Sequence, residues 1–354
     1  MTNVINSSEP LSRTHLPAQF VNRETEQETL SQAFTAETDP RLQHLHVYGP
    51  RGTGKTHLLQ RFLTAFPSTV STCYVSGLSH NTQYKVLEQL LQQLTGERVG
   101  TGYHVADLQR RLTEAMTLST VIVLDEVEFL LLNDGNDLIY FLSRLDNTAV
   151  ITVSSTYRSL SDYLDARTFS SFQPQVLTFD PYTVNETIEI FADRARQALE
   201  PQSLHRAALV RIASTTQNIG IGLAWLRVAA ESADDVVTAD LVDTLQPAGY
   251  EAYVDALLKA FTPHHRRLYK TIDRLERFQT EESPFVTGTV YEAYHDHCET
   301  AGVTPLSERR VSDFLTHLEL LDLIEATYHH GGAKGKTREI SLVDWTITPA
   351  SEVD

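Results

Sequence analysis

HLHVYGPRGTGKTHLLQRFL, residues 44–63, reads as a short apolar strand, a glycine-rich turn and the opening of a helix. Within it, Gly49 to Thr56 has the spacing G-x-x-x-x-G-K-[ST], in the strand, loop and helix order that this spacing needs to mean anything. Gly49, Gly52 and Gly54, with Thr53 between them, let backbone N–H groups turn inward around phosphate oxygens at the positive end of a helix. Lys55 is then expected to reach the β and γ phosphates, and Thr56 to offer its hydroxyl to magnesium. Downstream, VIVLDEVEFL (121–130) reads as a buried strand whose end carries Asp125 and Glu126. Facing a phosphate loop, Asp125 suits the magnesium hydration shell and Glu126 suits the activation of a water. ATP or ADP with Mg2+ is therefore the expected ligand.

Around these two segments the strand-like runs HLHVYG, STCYVSG, TVIVLDEV, AVITVSST and QVLTFDPY alternate with helix-length patterns such as QYKVLEQLLQQL. That alternation predicts an α/β fold with a largely parallel sheet covered by helices, over residues 16–182. From 183 to 247 the strand signal stops, and Val184, Ile188, Phe191 and Ala195 recur at helical spacing, which predicts a small all-helical domain. After the turn-like QPAGY (246–250), residues 248–345 read as three helices followed by two strands around a glycine-rich turn, the winged-helix order. Residues 1–15 are polar and patternless and are expected to form a flexible arm, with 346–354 as a tail.

Composition narrows the setting. Asp plus Glu number 46 against 29 for Lys plus Arg, a net charge of -17, and only 6 of the 29 cations are lysine. Such a surface stays hydrated where salt screens charge within a few ångströms, which points to a halophile. No apolar run has membrane-spanning length, the start MTNVINSSEPLSRTH has no signal-like apolar core, and Cys73 and Cys298 cannot build a disulfide framework. A cytoplasmic, reducing compartment is expected, with no membrane partner. His295, His297 and Cys298 in YHDHC lack the spacing and the fourth ligand of a zinc site, so no protein-only metal site is expected.

Nucleotide core, helical domain and winged helix together resemble the AAA+ initiator clade, specifically the archaeal origin-recognition and cell-division-control (Orc/Cdc type) DNA replication initiators. The likeness spans almost the whole chain and is carried by LPAQFVNRE, GPRGTGKT, VLDEVEFL, YLDARTFSSFQPQVLTFDPYTVNETIEIFADRA and TGTVYEAYHDHCETAGVTPLSERRVSDFLTHLELLDLIEA. It implies an AAA+ nucleotide-binding core, an all-helical lid and a C-terminal winged-helix domain that binds origin DNA. It also implies recruitment of a replicative helicase, self-association on DNA and, with the composition, a haloarchaeal source.

By the same resemblance Arg167 in LDAR falls at an arginine finger, Tyr182 in FDPY and Arg194 in FADRA line the nucleotide from the lid side, and Arg23 in VNRE lies near the adenine. Two departures bear on turnover. Thr156 stands where the family places an Asn that orients the attacking water, and Gly220-Ile221-Gly222-Leu223 replaces G-D-A-R, with Leu223 in place of a γ-phosphate arginine. Losing a cation at developing charge costs on the order of 100-fold in rate, by analogy with removed transition-state donors. Nucleotide binding with slow hydrolysis at most is the expectation.

For DNA, Val311, Phe314, Leu315 and Leu318 predict a helix with an apolar stripe, leaving Arg309, Arg310, Thr316 and His317 for the duplex. Lys334, Lys336 and Arg338 recur at period two beside Gly331 and Gly332 and are expected to share one face of the wing. Arg98, with Arg110 and Arg111, lies where the clade carries an inserted DNA-touching helix. Residues 250–354 nonetheless carry 18 acidic against 11 basic residues, so bulk charge does not announce a DNA-binding domain. A branch-migration type AAA+ motor with brisk turnover, or a nucleotide-responsive winged-helix transcription regulator, are the alternatives with the same domain order.

Overall fold

The structure, a computed structural model, describes residues 4–17, 20–34, 43–100, 102–155, 160–278, 284–329 and 337–345. Thr156, Lys334, Lys336 and the 346–354 tail lie outside them. The chain divides into two compact units, Met1–Leu245 and Gln246–Asp354.

The first unit is built on five strands, β1 (Leu45–Tyr48), β2 (Val70–Ser76), β3 (Ser119–Asp125), β4 (Thr148–Ser154) and β5 (Gln175–Thr178). All pair in parallel, in the order β2-β3-β4-β1-β5. Every residue of β3 after Ser119 and all of β4 is buried, because helices cover both faces of a parallel sheet. Alternate residues feed two cores. Ile122, Leu124 and Val150 pack with residues of α3 (Gln83–Thr95), α4 (Val105–Ala115) and α6 (Gly135–Leu142). Val121, Val123, Ile151 and Val153 pack with residues of α1 (Glu24–Phe34) and α2 (Lys55–Leu63). Two short helices, α5 (Val127–Leu131) and α7 (Ala166–Phe172), complete this layer. The register sets Ser76 beside Asp125 and Tyr48 beside Ser154, so the carboxyl ends of four strands meet at one sheet edge.

The helical lid follows as α8 (Val184–Ala198), α9 (Arg206–Thr215), α10 (Ile219–Ser232) and the start of α11 (Ala239–Leu257). Helix α8 opens with a capping box between Thr183 and Glu186. The fully buried Trp225 of α10 donates from its indole N–H to the Val242 carbonyl at 2.7 Å. The turn expected at QPAGY is not formed: α11 runs through it with Pro247 inside, at the cost of one rung of the helix ladder.

The N-terminal segment also departs from expectation. Residues 4–17 are packed on the lid rather than forming a free arm. Asn6 and Ser7 donate to the Ala198 carbonyl at the end of α8, Glu200 N–H returns to the Val4 carbonyl, and a 3-10 turn at Glu9–Leu11 buries Leu11. Its apolar residues fall at no helical or strand period, yet Val4, Pro10, Leu11 and Pro17 are buried.

The second unit contains α12 (Pro263–Phe278), α13 (Thr287–Thr300) and α14 (Glu308–Leu320). A three-stranded antiparallel sheet of β6 (Phe285–Val286), β7 (Ile324–His329) and β8 (Thr337–Leu342) accompanies them in the order β6-β8-β7. Three helices with a β7–β8 hairpin form the winged helix, and the two-residue β6 is an addition too short to leave a sequence signal. Among the described residues no helix is long and apolar enough to cross a membrane.

Because Leu11 is 1% exposed against the lid, Leu11→Ala should destabilise the first unit by about 2–4 kcal/mol. Urea unfolding followed by tryptophan fluorescence of Trp225 would register this as an earlier midpoint at constant slope. An unshifted midpoint would return the segment to the status of a loose tail.

Candidate functional site

The phosphate loop links β1 to α2, and its shape follows from its glycines. Gly52 and Gly54 sit at φ 82° and 89°, where a Cβ is disfavoured. A Cβ on Gly52 would lie 2.3 Å from Asn218 Oδ1, so the glycine also lets the start of α10 close on the loop, where Ile219 N–H donates to the Gly52 carbonyl at 3.4 Å. Lys55 Nζ donates to the carbonyls of Gly49 at 2.5 Å and Pro50 at 2.7 Å. Burial, with the nearby Arg51 charge, pushes the Lys55 ammonium down to about 8, against the pull of Asp125, Glu128 and Glu126. Thr53 hydroxyl turns back to the Pro50 carbonyl and is internal to the loop.

At the end of β3, Asp125 is 3% exposed and fully engaged. Its Oδ2 accepts from Thr56 Oγ1 at 2.7 Å and from the Tyr74 hydroxyl at 2.6 Å, and its Oδ1 accepts from Glu126 N–H at 2.8 Å. Glu126 itself sits at φ 53°, which turns its carboxylate out of the strand line toward the loop, where Arg51 Nη1 donates to it at 2.8 Å. Thus Thr56, Asp125 and Glu126 come together as their sequence pattern predicts.

Three contributors escape sequence reading. Tyr74 lies on β2 two residues before the Ser76–Asp125 pairing, on the same strand face, and only the register brings its hydroxyl to Asp125; burial, followed by the Asp125 charge, pushes that phenol up. Glu128 Oε1 accepts from Ser155 N–H at 2.6 Å, tying α5 to the end of β4 next to Thr156, and burial raises its carboxyl. Arg51 occupies a position that the phosphate-loop spacing leaves open. The second Glu of DEVE was the one visible hint.

Arg23 and Tyr182 meet behind the loop. The Arg23 guanidinium stacks 3.9 Å from the Tyr182 ring and donates to the carbonyls of Thr53 at 3.2 Å and Asp180 at 2.7 Å, and to Glu26 at 2.6 Å. It pins the loop to the hinge between core and lid. A Cβ on Gly54 would lie 2.9 Å from the Tyr182 hydroxyl, so Tyr182 does reach the loop. Arg194 is buried on α8, with Nη2 donating to the His15 carbonyl at 3.3 Å, while its buried Nη1 finds no hydrogen-bond partner among the described residues.

Leu223 needs correction. It is buried in the lid, and its neighbour Gly222 exists for packing, since a Cβ there would lie 2.1 Å from the Phe191 ring. The residues at the loop are Asn218 and Ile219 at the start of α10, with Gly220 following, and they too carry no cation. Arg167, by contrast, is exposed on α7, held 3.1 Å from Asp137 and stacked 4.2 Å over Tyr140, away from this chain's own loop contacts.

The DNA candidates divide. Arg309 and Arg310 are exposed in the first turn of α14, after Ser307 in the N-cap position. Arg98 is exposed between α3 and α4, which stand as two helices between β2 and β3; Arg110 is exposed and paired with Glu114, and Arg111 stacks 4.7 Å over Tyr103. Three others turn inward. Arg338 is 8% exposed, with Nη1 3.3 Å from the Tyr328 hydroxyl and 3.5 Å from Thr316 Oγ1, and Nη2 3.5 Å from Ser312 Oγ. It braces β8 against α14 and does not share an exposed wing face. Thr316 therefore faces the wing strand. His317 Nδ1 lies 3.0 Å from Nε2 of the buried His265 on α12, and burial pushes both imidazoles down, His265 to about 3. The helical period assigned these side chains to the open face because it does not register the flanking β8 and α12. His297 bonds Thr271 at 2.9 Å and Cys298 is buried.

Comparison with known proteins places these elements. Residues 41–163 match the model of an AAA domain, and residues 256–347 match that of the CDC6 C-terminal winged helix domain. The chain is 27% identical to the ORC1-type DNA replication protein of Pyrococcus horikoshii, over 98% of this chain and 88% of that one, and 28% identical to that of Thermococcus kodakarensis, over 86% and 79%. Among solved structures it resembles the Aeropyrum pernix ORC1 protein in complex with DNA, with a TM-score of 0.75 and 26% identity over 97% of this chain and 94% of that one. The Pyrobaculum aerophilum Cdc6p structure shares the fold at a TM-score of 0.61 and 18% identity. With an AAA domain, a helical lid and a CDC6-type winged helix in one order, the chain is similar along nearly its whole length to the archaeal ORC1-type DNA replication proteins.

Proposed function

We propose that this initiator binds ATP or ADP at the Gly49–Thr56 loop and duplex origin DNA through α14, the wing and the α3–α4 insertion, and that nucleotide state governs its part in recruiting the replicative helicase. The observation that carries it is the contact of the phosphate loop with two partners at once: Asp125 through Thr56, and the lid through Ile219 and Asn218. A ligand in that loop touches the core and the lid together, which is what a nucleotide-set switch requires. The DNA partner is supported by the Aeropyrum pernix relative in complex with DNA and by the two exposed arginines of α14.

The residues fit a magnesium ion. Thr56 hydroxyl and Asp125 carboxylate, 2.7 Å apart, are hard oxygen donors at the mouth of the loop. Bound there with nucleotide, the ion neutralises charge on the phosphates. Tyr74 holds Asp125 from behind, Lys55 and the loop N–H groups bind phosphate oxygens, and Glu126 accepts a proton from water. Arg194 Nη1 meets the nucleotide from the lid, Arg23 fixes the hinge, and Arg167 reaches a nucleotide on a neighbouring copy on DNA. With no cation at the start of α10, turnover is slow and the protein acts as a switch rather than a motor.

Tyr74→Phe removes one hydrogen bond to Asp125 and should weaken Mg2+ affinity of the nucleotide complex by about 10-fold, as outer-shell partners of ligands do. Titration of nucleotide binding against Mg2+ measures this, and an unaltered Mg2+ midpoint would reduce Tyr74 to packing.

Arg309→Ala with Arg310→Ala should abolish a bounded footprint on repeats beside the protein's own gene in molar KCl, and should lower the salt slope of duplex binding by about 2, near 0.9 per lost phosphate contact. Arg338→Ala should instead lower the melting temperature of the second unit. A footprint that survives the double arginine change would take α14 out of the interface.

A further inference from the structure

The phosphate loop carries a second cation beside Lys55. Arg51 Nη1 donates to Glu126 Oε1 at 2.8 Å, and the two side chains are only 10% and 16% exposed. Glu126 is the residue read above as acting on water, so the guanidinium stands one carboxylate away from the reacting end of a bound nucleotide. Lys55 lies against the carbonyl of Pro50, the residue just before Arg51, so two cations share one turn of the loop. Two cations close enough to repel, in a partly buried loop, favour any ligand that adds negative charge between them. The start of α10 offers no such cation: Asn218 and Ile219 meet the loop, Gly220 follows them, and Leu223 is buried.

We propose that Arg51 recognises the γ phosphate in place of an arginine at the start of α10, so that the loop itself distinguishes ATP from ADP. With ADP, Arg51 pairs with Glu126 as seen here. With ATP, the guanidinium turns to the terminal phosphate, which offers a doubly charged, bidentate acceptor against the single charge of a carboxylate. The exchange leaves Glu126 in place, because its N–H is fixed on Asp125 Oδ1 and its backbone is set in the left-handed turn. Glu126 is thereby neutralised by Arg51 in the ADP state and released in the ATP state. This inference rests on the nucleotide reading of the loop, and its test separates the two.

Calorimetric titration of the full chain with ATP and with ADP, each with Mg2+, gives an affinity ratio for wild type, Arg51→Gln, Arg51→Lys and Lys55→Ala. Arg51→Gln should lower the ATP-to-ADP ratio by about tenfold, the size of one charge-assisted contact near 1.4 kcal/mol. Arg51→Lys, which keeps the charge but not the two-pronged fork, should give a ratio between those of wild type and Arg51→Gln. An unchanged ratio in Arg51→Gln, an equal loss of both nucleotides, or a Lys variant as impaired as the Gln variant would overturn the proposal. Should Arg51→Gln fail to fold because Glu126 is left unpaired, the ratio is read from Arg51→Gln with Glu126→Gln against Glu126→Gln alone. Lys55→Ala that still binds both nucleotides would remove the loop reading itself; Lys55→Ala that loses them, with a ratio indifferent to Arg51, would remove only this inference.

Discussion

A carboxylate buried at 3% exposure is tolerated only when its oxygens are satisfied, and Asp125 meets that condition through Thr56, Tyr74 and the Glu126 N–H. Each of those partners comes from a different part of the chain: the start of α2, the middle of β2 and the turn after β3. The β2–β3 register, the seating of α2 under the sheet edge and the left-handed turn at Glu126 are therefore tied to one group. A one-residue slip of β2 would turn Tyr74 to the other face of the sheet and leave a charge buried with a partner missing. The site and the core are in this sense the same constraint, and the glycines at 52 and 54 complete it by letting the loop bend over the carboxylate without a Cβ.

Much of this was legible in the amino-acid order. The five strands, the phosphate loop, the Asp125–Glu126 strand end, the helical lid and the winged-helix order all rest on short-range signals, periodicity and fixed spacing, that survive in one dimension. Tyr74 and Glu128 were not legible, because each matters through a register or a strand end some 50 or 27 residues away in sequence. Residues 4–17 do not read as packed in the sequence since their scattered apolar side chains carry no period, although Val4 and Leu11 are buried all the same. Arg338, Thr316 and His317 illustrate the opposite error: helical and strand periods identified a face correctly but not what covers it, and β8 and α12 take those side chains out of solvent.

The inward turn of Arg338 changes how the second unit can hold DNA. A domain of net acidic sequence cannot lean on long-range attraction, and in concentrated salt the release of counterions contributes little. Affinity then rests on geometry, on how rigidly α14 presents Arg309 and Arg310. The brace of Arg338 to Ser312, Thr316 and Tyr328, together with the His265–His317 contact, fixes that helix against β8 on one side and α12 on the other. Burial disfavours the charged forms of both imidazoles, pushing His265 down to about 3 and lowering His317 from its ordinary value, so the contact does not add positive charge to the helix. Side chains that read as DNA contacts instead make the platform on which the two exposed arginines stand.

A switch also needs the nucleotide signal to leave the loop. Gly52 provides the exit: its carbonyl accepts from Ile219 N–H, and its missing Cβ leaves room for Asn218, which in turn caps α10 by accepting from Gly220 and Ile221. In the switch proposed above, a shift of the loop on gaining or losing a phosphate would reach the first turn of α10, whose Gly222 packs on Phe191 of α8, without any α10 side chain touching the phosphate. The N-terminal segment holds α8 from its far end, through Ala198, and beside the site through the His15 carbonyl on Arg194. A lid held at two points responds as a body rather than helix by helix, and a coupling of about 1–3 kcal/mol, the usual range for linked sites, is within what a few such hydrogen bonds and one buried ring contact can carry. In the proposed switch, the lack of a cation at the start of α10 would weaken hydrolysis and leave communication between loop and lid intact.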